Sequence, residues 1–322
     1  MKIKQGKEIL QSKFNDILEF QKKGIYPDIN FLTDNYSIIY DLCNWSGKYC
    51  YELDKLHTLF IKNTIADSSN ILIKIEEREF INYFCRELDK INYIIYFLYR
   101  IFNYLDRFYL NDENKIPLNK KAFDIFKNEF FIPFKEKIFH YLKLLEDNNL
   151  DNKEENYIKK IINLLLYIDI SDPEIIRINN EFFWRNENEN LSNNKIKNNT
   201  FDDWFNNYFM KFIESTAQTE AEKIQNLEIS EYISSFLKLN WKPKYLKKFF
   251  DDKYYSQIIN YFNDILLKKK IEEIEKYFFD MDKEQLKKFY QENKEYENCL
   301  NLILESFIYS AKNNGIKIFE NK

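Results

Sequence analysis

Glycine and proline are scarce in this chain: its 322 residues include only four of the first and five of the second. Turns must therefore be made mostly by Asn, Asp and Ser, and the glycine-containing pairs that mark tight β-hairpins are rare. So few glycines cannot build a Walker loop or a dinucleotide fingerprint, and neither motif occurs. The common nucleotide-binding folds are excluded.

Metal-binding residue types are equally few, with four cysteines and two histidines. These residues are Cys43, Cys50, Cys85, Cys299, His57 and His140. None of the cysteines forms the paired Cys-x-x-Cys spacing of a zinc site, so we expect reduced, buried or half-buried thiols, and neither metal nor cofactor.

The chain also lacks a long apolar run and an excess of charge of one sign. Its longest apolar run, residues 161–168, is far shorter than the ~20 residues that span a bilayer, and the start has no apolar signal core. The 48 Lys and Arg against 52 Asp and Glu give a net charge of −4, mixed along the chain. We therefore expect no membrane or nucleic-acid partner and a cytoplasmic and/or nuclear location.

Large rings and helix formers are abundant instead. Aromatic residues make up 18% of the chain, with 30 Phe and 24 Tyr beside many Lys, Glu, Leu and Ile. One helical pattern follows another, with no strand period and no long linker. These features predict an all-α fold, an elongated array of helical repeats, built from ring contacts rather than from coiled-coil heptads.

The segment from Phe80 to Leu110 organises the rest. One apolar stripe at helical spacing contains Ile91, Ile94, Ile95, Leu98, Phe102, Leu105 and Tyr109. A second stripe of aromatics and arginines contains Tyr93, Phe97, Arg100, Tyr104 and Arg107. Either the helix is buried on both sides, or the second stripe offers a partner surface, since aromatic residues and Arg dominate interface hot spots.

Around this segment the pattern predicts helices at 2–22, about 28–44 and 52–66, then a polar turn at 67–70 and two further helices within the segment itself. Gly24 is expected to end the first helix and Asp28 to cap the second. A helix follows from residue 120 with a kink or break at Pro133, and another begins at about residue 173. We predict unit boundaries that give residues 1–150, 151–270 and 271–322.

Acidic pairs offer the main enzyme hypothesis, an all-α prenyl-diphosphate enzyme, which needs facing aspartates to hold magnesium. The pairs Asp202-Asp203 and Asp251-Asp252 lack a third acid one turn away. Residues 280–284 superficially match a calcium loop but lack its glycine and its final Glu. Caps and exposed turns explain these acids better, so we expect no catalytic residue.

Several stretches are similar to the N-terminal part of cullins, the scaffolds of cullin-RING ubiquitin ligases. Asn35 to Cys43 resembles the family's second helix, and Phe102 to Tyr109 (FNYLDRFY) resembles the Tyr-Leu-Asn/Asp-Arg signature of its fifth. Glu231-Tyr232-Ile233 and the stretch at 279–290 resemble parts of the second and third repeats. The stretches at 216–222 and 241–245 depart from the family pattern.

The resemblance implies five-helix cullin repeats: residues 1–150 as the first, 151–270 as the second and 271–322 as the start of a third. It implies a non-catalytic scaffold whose first repeat binds a BTB-fold adaptor that carries a substrate receptor. The implied adaptor-binding residues are Leu32, Asn35, Tyr36, Ile39, Tyr40, Tyr104, Arg107 and Tyr109. Core packing is the alternative for each tyrosine, most of all for Tyr40 and Tyr109.

In cullins a C-terminal domain recruits the RING protein, so that partner is expected only if such a domain exists elsewhere. The chain is then either an N-terminal part of a longer cullin or a naturally short protein that occupies adaptors. A second hypothesis is a helical rod of a vesicle-tethering complex, which would have the same composition and small GTPases or sister subunits as partners.

Overall fold

A computed structural model describes residues 3–110, 115–142, 151–169, 173–178, 181–186, 199–239, 246–268 and 270–293. The chain forms two compact units. The first contains residues 1–142 and 151–201, and the second contains residues 143–150 and 202–322. The repeat boundaries at residues 150 and 270 and the elongated shape stay predictions.

The described part of the first unit is built from seven helices and one β-hairpin. Its helices are α1 (Ile3–Lys22), α2 (Ile29–Trp45), α3 (Gly47–Ile73), α4 (Glu77–Leu105), α5 (Leu118–Ile125), α6 (Ile132–Tyr141) and α7 (Asn152–Tyr167). Two π-helical segments adjoin them: Asp106–Leu110 continues α4, and Phe126–Phe131 joins α5 to α6.

The start of the unit follows the predicted signals. Gly24 has a φ of +65°, and the amides of Gly24 and Ile25 donate to the carbonyls of Gln21 and Phe20, the Schellman arrangement that ends a helix. The Asp28 side chain accepts from the Phe31 amide at 2.7 Å and so caps α2. Both predictions are confirmed.

Helix α4 lies at the centre of the first unit, in contact with α1, α2, α3, α5, α6 and α7. Its predicted apolar stripe is buried from Ile91 to Leu105. Stacked rings join the surrounding helices: Phe84 of α4 lies 5.2 Å from Phe130, and Phe14 of α1 lies 4.1 Å from Phe60 of α3. Each such buried side chain contributes about 1.5–3 kcal/mol from removal of its apolar surface from water.

Two predicted breaks near α4 are wrong. The turn expected at residues 67–70 is helical, because Ser68 is buried and donates to the buried carboxylate of Glu87 at 2.8 Å. The segment expected to form two helices is one helix, α4, which is therefore the fourth helix of the chain rather than the fifth. The kink or break predicted at Pro133 stays a prediction, because the helical backbone continues from α5 through the π-helical segment into α6, and Pro133 lies in the first turn of α6.

An antiparallel hairpin replaces the helix that was expected to begin at about residue 173. Strand β1 (Pro173–Ile178) pairs with β2 (Glu181–Asn186) in the register Ile175 opposite Trp184. The hairpin contacts α4, α5 and α7. Two features of the sequence could have indicated this hairpin. Runs of β-branched and aromatic residues favour strands, and the pair Asn179-Asn180 between them is of a type that tolerates tight-turn backbone conformations.

The second unit is helical throughout its described part. Helix α8 (Asn199–Trp204) leads into a π-helical segment, Phe205–Phe209. The following helices are α9 (Met210–Ile224), α10 (Ile229–Leu239), α11 (Asp252–Lys268), α12 (Ile271–Phe279) and α13 (Lys283–Glu292). Trp204, Phe209 and Phe250 form a ring cluster in which Phe209 lies 5.0 Å from Phe250.

Apart from the hairpin, the all-α prediction is confirmed. The motif residue Tyr232 is fully buried and donates to the Leu266 carbonyl at 2.6 Å, so it supports the core of the second unit. Asp282 caps α13 through the amides of Glu284 and Gln285, in agreement with the rejection of a calcium loop at this place. The helix expected at 296–312 lies outside the described residues.

No described helix combines the length and the apolar character that a membrane crossing requires.

Candidate functional site

The second stripe of α4 is covered along its first half. Tyr93 and Phe97 are buried, and the Tyr93 hydroxyl donates to the Ile25 carbonyl. The Tyr26 ring lies 5.9 Å from that of Tyr93 and 6.3 Å from that of Phe97. Residues 24–28, the covering loop, therefore pack over this half of the stripe, so the predicted partner surface is wrong here and burial on both sides is correct.

The same stripe is open at its far end, where it meets α2. The Tyr104 ring lies edge-on to Tyr36 at 6.1 Å and to Tyr40 at 4.9 Å, and it lies 4.6 Å from Phe108. Tyr40 is 46% exposed and Phe108 is 56% exposed. These four side chains, Tyr36, Tyr40, Tyr104 and Phe108, form the aromatic ridge, a surface of edge-packed rings that faces solvent.

Tyr104 is the central ring of the ridge. Its hydroxyl donates to the Asn44 side-chain oxygen at 3.1 Å, which ties α4 to the end of α2. Partial burial, followed by the neighbouring Tyr40 and Cys43, raises the pKa of the Tyr104 hydroxyl. The phenol is therefore neutral at physiological pH and acts as a polar handle on an apolar surface, a combination that suits protein interfaces.

The structure brings three of the predicted adaptor-binding residues, Tyr36, Tyr40 and Tyr104, together in the ridge. Tyr40 and Arg107 are exposed; Leu32, Tyr36, Tyr104 and Tyr109 are half-buried. The prediction that Asn35 and Ile39 contact the adaptor is wrong, since their side chains are 1% and 0% exposed. Ile39 belongs to the core. The Asn35 amide nitrogen donates to the Phe31 carbonyl at 2.6 Å within α2, so both residues support the ridge from inside and offer no contact to a partner.

The two tyrosines for which core packing was the favoured alternative behave differently. Tyr40 belongs to the exposed part of the ridge, so the core-packing alternative is wrong for it. Tyr109 is half-buried, and the Lys115 amino group lies 3.9 Å from its ring centroid and hydrogen-bonds its hydroxyl. Tyr109 therefore supports the turn after α4 more than it extends the ridge.

Sequence reasoning missed three exposed apolar residues on or beside α2 and α4. Phe108 was read only as part of a motif, although it is one turn beyond Tyr104 and extends the same stripe. Ile29 and Trp45, at the two ends of α2, are 75% and 69% exposed. Helical spacing within the predicted helices could have found Ile29 and Phe108, and the same spacing carried past the end of the second predicted helix could have found Trp45.

Asp106 fixes the turn that presents Arg107 and Phe108. Its carboxylate accepts from the Leu118 amide at 2.7 Å and so holds the start of α5 against the π-helical segment. Burial raises the pKa of this carboxyl, while the Leu118 amide and Lys121 lower it. The acid of the Tyr-Leu-Asp-Arg motif is therefore a structural residue.

The structure describes three of the four cysteines. Cys43, Cys50 and Cys85 are reduced, and Cys299 lies outside the described residues. Burial, and then a hydrogen bond with Cys50, raises the pKa of the Cys43 thiol, which keeps it protonated. No group of three potential metal ligands occurs in the part of the chain that the structure describes.

Comparison with known families agrees with the resemblance. The model of the cullin alpha solenoid domain matches residues 8–322, nearly the whole chain. The chain therefore belongs to the cullin family and has a scaffold fold of the alpha-solenoid type. A search of curated proteins gave no match.

Proposed function

We propose that the chain is a non-catalytic scaffold of a cullin-RING ubiquitin ligase and that the aromatic ridge binds a BTB-fold adaptor carrying a substrate receptor. The observation that supports this is the position of the ridge. It is the open end of a stripe whose other end is buried, and it is formed by the two helices whose sequences resemble the adaptor-binding helices of cullins.

The composition of the ridge is suited to docking. Tyrosine and phenylalanine supply large contact areas with few rotatable bonds, so little conformational entropy is lost when a partner orders them. Tyr36, Tyr40 and Phe108 all contact Tyr104 or lie beside it, so removal of the central ring also loosens the others. We infer that Tyr104 is the anchor of the site.

A scaffold of this kind acts through geometry. It holds a substrate receptor at a fixed separation from a ubiquitin-charged enzyme and so raises the effective concentration of one at the other. Delivery of ubiquitin, and with it a role in ubiquitin-dependent protein breakdown, also requires a RING-binding domain, supplied by further sequence or by another chain.

The test is direct binding. BTB-fold proteins encoded in the same genome are produced recombinantly and measured against the chain by biolayer interferometry. The variant Tyr36→Ala with Tyr104→Ala is expected to lose more than about 2 kcal/mol of affinity, roughly 30-fold in Kd, and to keep its helical circular dichroism. Truncation of an anchor ring removes both its buried area and its edge contacts.

The matched control is Tyr51→Ala with Tyr208→Ala, two exposed tyrosines outside the ridge, which should leave binding unchanged. Full affinity in the ridge variant, or equal losses in both variants, would remove the proposed site. If no BTB-fold protein binds and affinity purification recovers small GTPases or tethering subunits instead, the vesicle-tethering hypothesis replaces this one.

A further inference from the structure

Two acidic side chains border the aromatic ridge on α2. Asp34 and Asp41, the acidic flank, are exposed and seven residues apart, hence two turns apart on one side of the helix. Neither forms an ion pair with another described residue. Residues 29–45 contain no Lys or Arg, so the negative charge of this helix is not compensated within it.

Two arginines border the ridge on α4. Arg100 and Arg107, the basic flank, are exposed and also seven residues apart. Arg100 donates to the Tyr96 hydroxyl at 2.9 Å and lies 5.7 Å from the centroid of its ring, and neither contact supplies an opposite charge. Arg107 has no carboxylate partner among the residues that the structure describes. Both flanks therefore present charges that have no ion-pair partner within the part of the chain that the structure describes.

Helix geometry places the flanks on opposite sides of the ridge. Successive residues are about 100° apart around a helix. On α2, Tyr40 lies between the buried Ile39 and the exposed Asp41, so the acidic flank is on the side of Tyr40 away from the core.

The buried Leu105 of α4 lies to one side of Tyr104, and helical spacing puts Arg100 of α4 and Arg107 of its π-helical continuation on the other. Tyr104 itself contacts α2 through Tyr36 and Tyr40. The order across the surface is therefore acidic flank, aromatic ridge, basic flank.

From this layout we infer the chemistry and the orientation of the adaptor. Its docking face has an apolar centre that covers the ridge, a basic side chain opposite Asp34 and Asp41, and an acidic side chain opposite Arg100 and Arg107. A partner turned by half a revolution would bring like charges together, so the flanks fix one orientation. This inference rests on the proposed function and deepens it.

Charges at the rim of an interface act mainly on association. They steer the encounter and disfavour wrong partners, and their effect weakens with salt because exposed charges are screened over about 10 Å at 0.1 M. The flanks are exposed, whereas the ridge provides the contact area. Ridge variants should therefore change the dissociation rate, and flank variants should change the association rate.

Two charge reversals test the inference against the adaptor that binds in the interferometry screen. One variant is Asp34→Lys with Asp41→Lys, and the other is Arg100→Glu with Arg107→Glu. We expect each to slow association by about tenfold at 50 mM salt, with a much smaller effect at 0.5 M. The control Asp67→Lys with Glu136→Lys changes two exposed acids of α3 and α6 by the same net charge and should leave association within about twofold.

The signs of the two effects decide the outcome. An adaptor of uniform charge would associate faster with one reversal and slower with the other, which would overturn the inference and leave the proposed function intact. No change with either reversal, while the ridge variant loses affinity, would also overturn it alone. If no BTB-fold protein binds the unaltered chain, the proposed function fails and this inference fails with it.

Discussion

The two ends of the second stripe of α4 have the same kind of residue at the same helical spacing, yet they lie in opposite environments. Tyr93 and Phe97 pack beneath the covering loop, while Tyr104 and Phe108 face solvent beside α2. The difference is the Gly24 turn, which directs Ile25 and Tyr26 across the first pair and ends before the second. A stripe of rings is therefore a docking surface only where the chain leaves it uncovered.

The largest expected effect compares one ring from each end. Phe97→Ala should destabilise the protein by about 3–5 kcal/mol, because it opens a cavity under the covering loop, where Phe97 is 4% exposed. Phe108→Ala should cost less than about 0.5 kcal/mol, because its ring is mostly exposed. Denaturant unfolding measures both values. Equal losses would show that the two ends are equivalent and would refute the comparison.

Acid should lower the free energy of unfolding, because a buried histidine lies in the core beneath α4. This core supports both ends of the second stripe. His57 of α3 is buried, lies 5.2 Å from the Phe102 ring, and has no hydrogen-bond partner for either ring nitrogen among the described residues. Burial, and then the charge of Lys121, lowers the pKa of His57 from 6.5 to about 3.

In the unfolded chain His57 is therefore protonated below about pH 6.5, whereas in the folded chain it stays neutral down to about pH 3. Stability should fall by about 1.4 kcal/mol per pH unit within that window from this group, with the full contribution present above it. Nuclear magnetic resonance of the imidazole is the measurement, with the exposed His140 ring as an internal comparison. Titration of His57 between pH 6 and 7 would contradict the prediction.

A smaller effect separates the two tyrosine hydroxyls. Tyr93→Phe removes the hydrogen bond to the Ile25 carbonyl and should cost about 1 kcal/mol, since it leaves a shielded acceptor unpaired. Tyr104→Phe loses only the exposed bond to Asn44, which water replaces, so we expect a few tenths of a kcal/mol. Thermal unfolding of the two variants in parallel tests this, and the reverse order would count against a fixed covering loop.

An effect no larger than that of the Tyr93 hydroxyl concerns the turn that creates the difference. Gly24→Ala should cost about 1 kcal/mol or less, because the backbone at φ +65° disfavours a Cβ atom while no neighbour lies within 4 Å of it. Gly24→Asn, which tolerates this conformation better, should cost less. If alanine is as stable as glycine, the turn does not hold the loop in place.

Several parts of the fold could be predicted from residues alone. The Gly24 stop and the Asp28 cap depend on neighbours within a few residues, so local chemistry is sufficient. The prediction failed where distant contacts decided. Ser68 is of a residue type that favours turns. In the structure its hydroxyl donates a hydrogen bond from α3 to the buried Glu87 carboxylate of α4, and α3 continues through this point. The hairpin at 173–186 contacts three helices, so tertiary packing overrides its weak turn signal.

For the site, sequence similarity pointed to the two helices that form the aromatic ridge but did not separate their inner from their outer residues. It included Asn35 and Ile39, which are buried, and left core packing open for the exposed Tyr40, because a motif records residue types and not their orientation. Phe108 was missed for the same reason. Exposure follows from the rotation of α2 against α4, which no local pattern of residues states.

The sequence by itself determined that this chain is an α-helical member of the cullin family with a ring-rich helical segment at residues 80–110, because composition, periodicity and short motifs are properties of neighbouring residues. The tertiary structure alone decided which rings of that helix are open, because exposure depends on whether a distant segment packs above them. The covering loop hides one half of the stripe, and its end point leaves the aromatic ridge exposed for a partner.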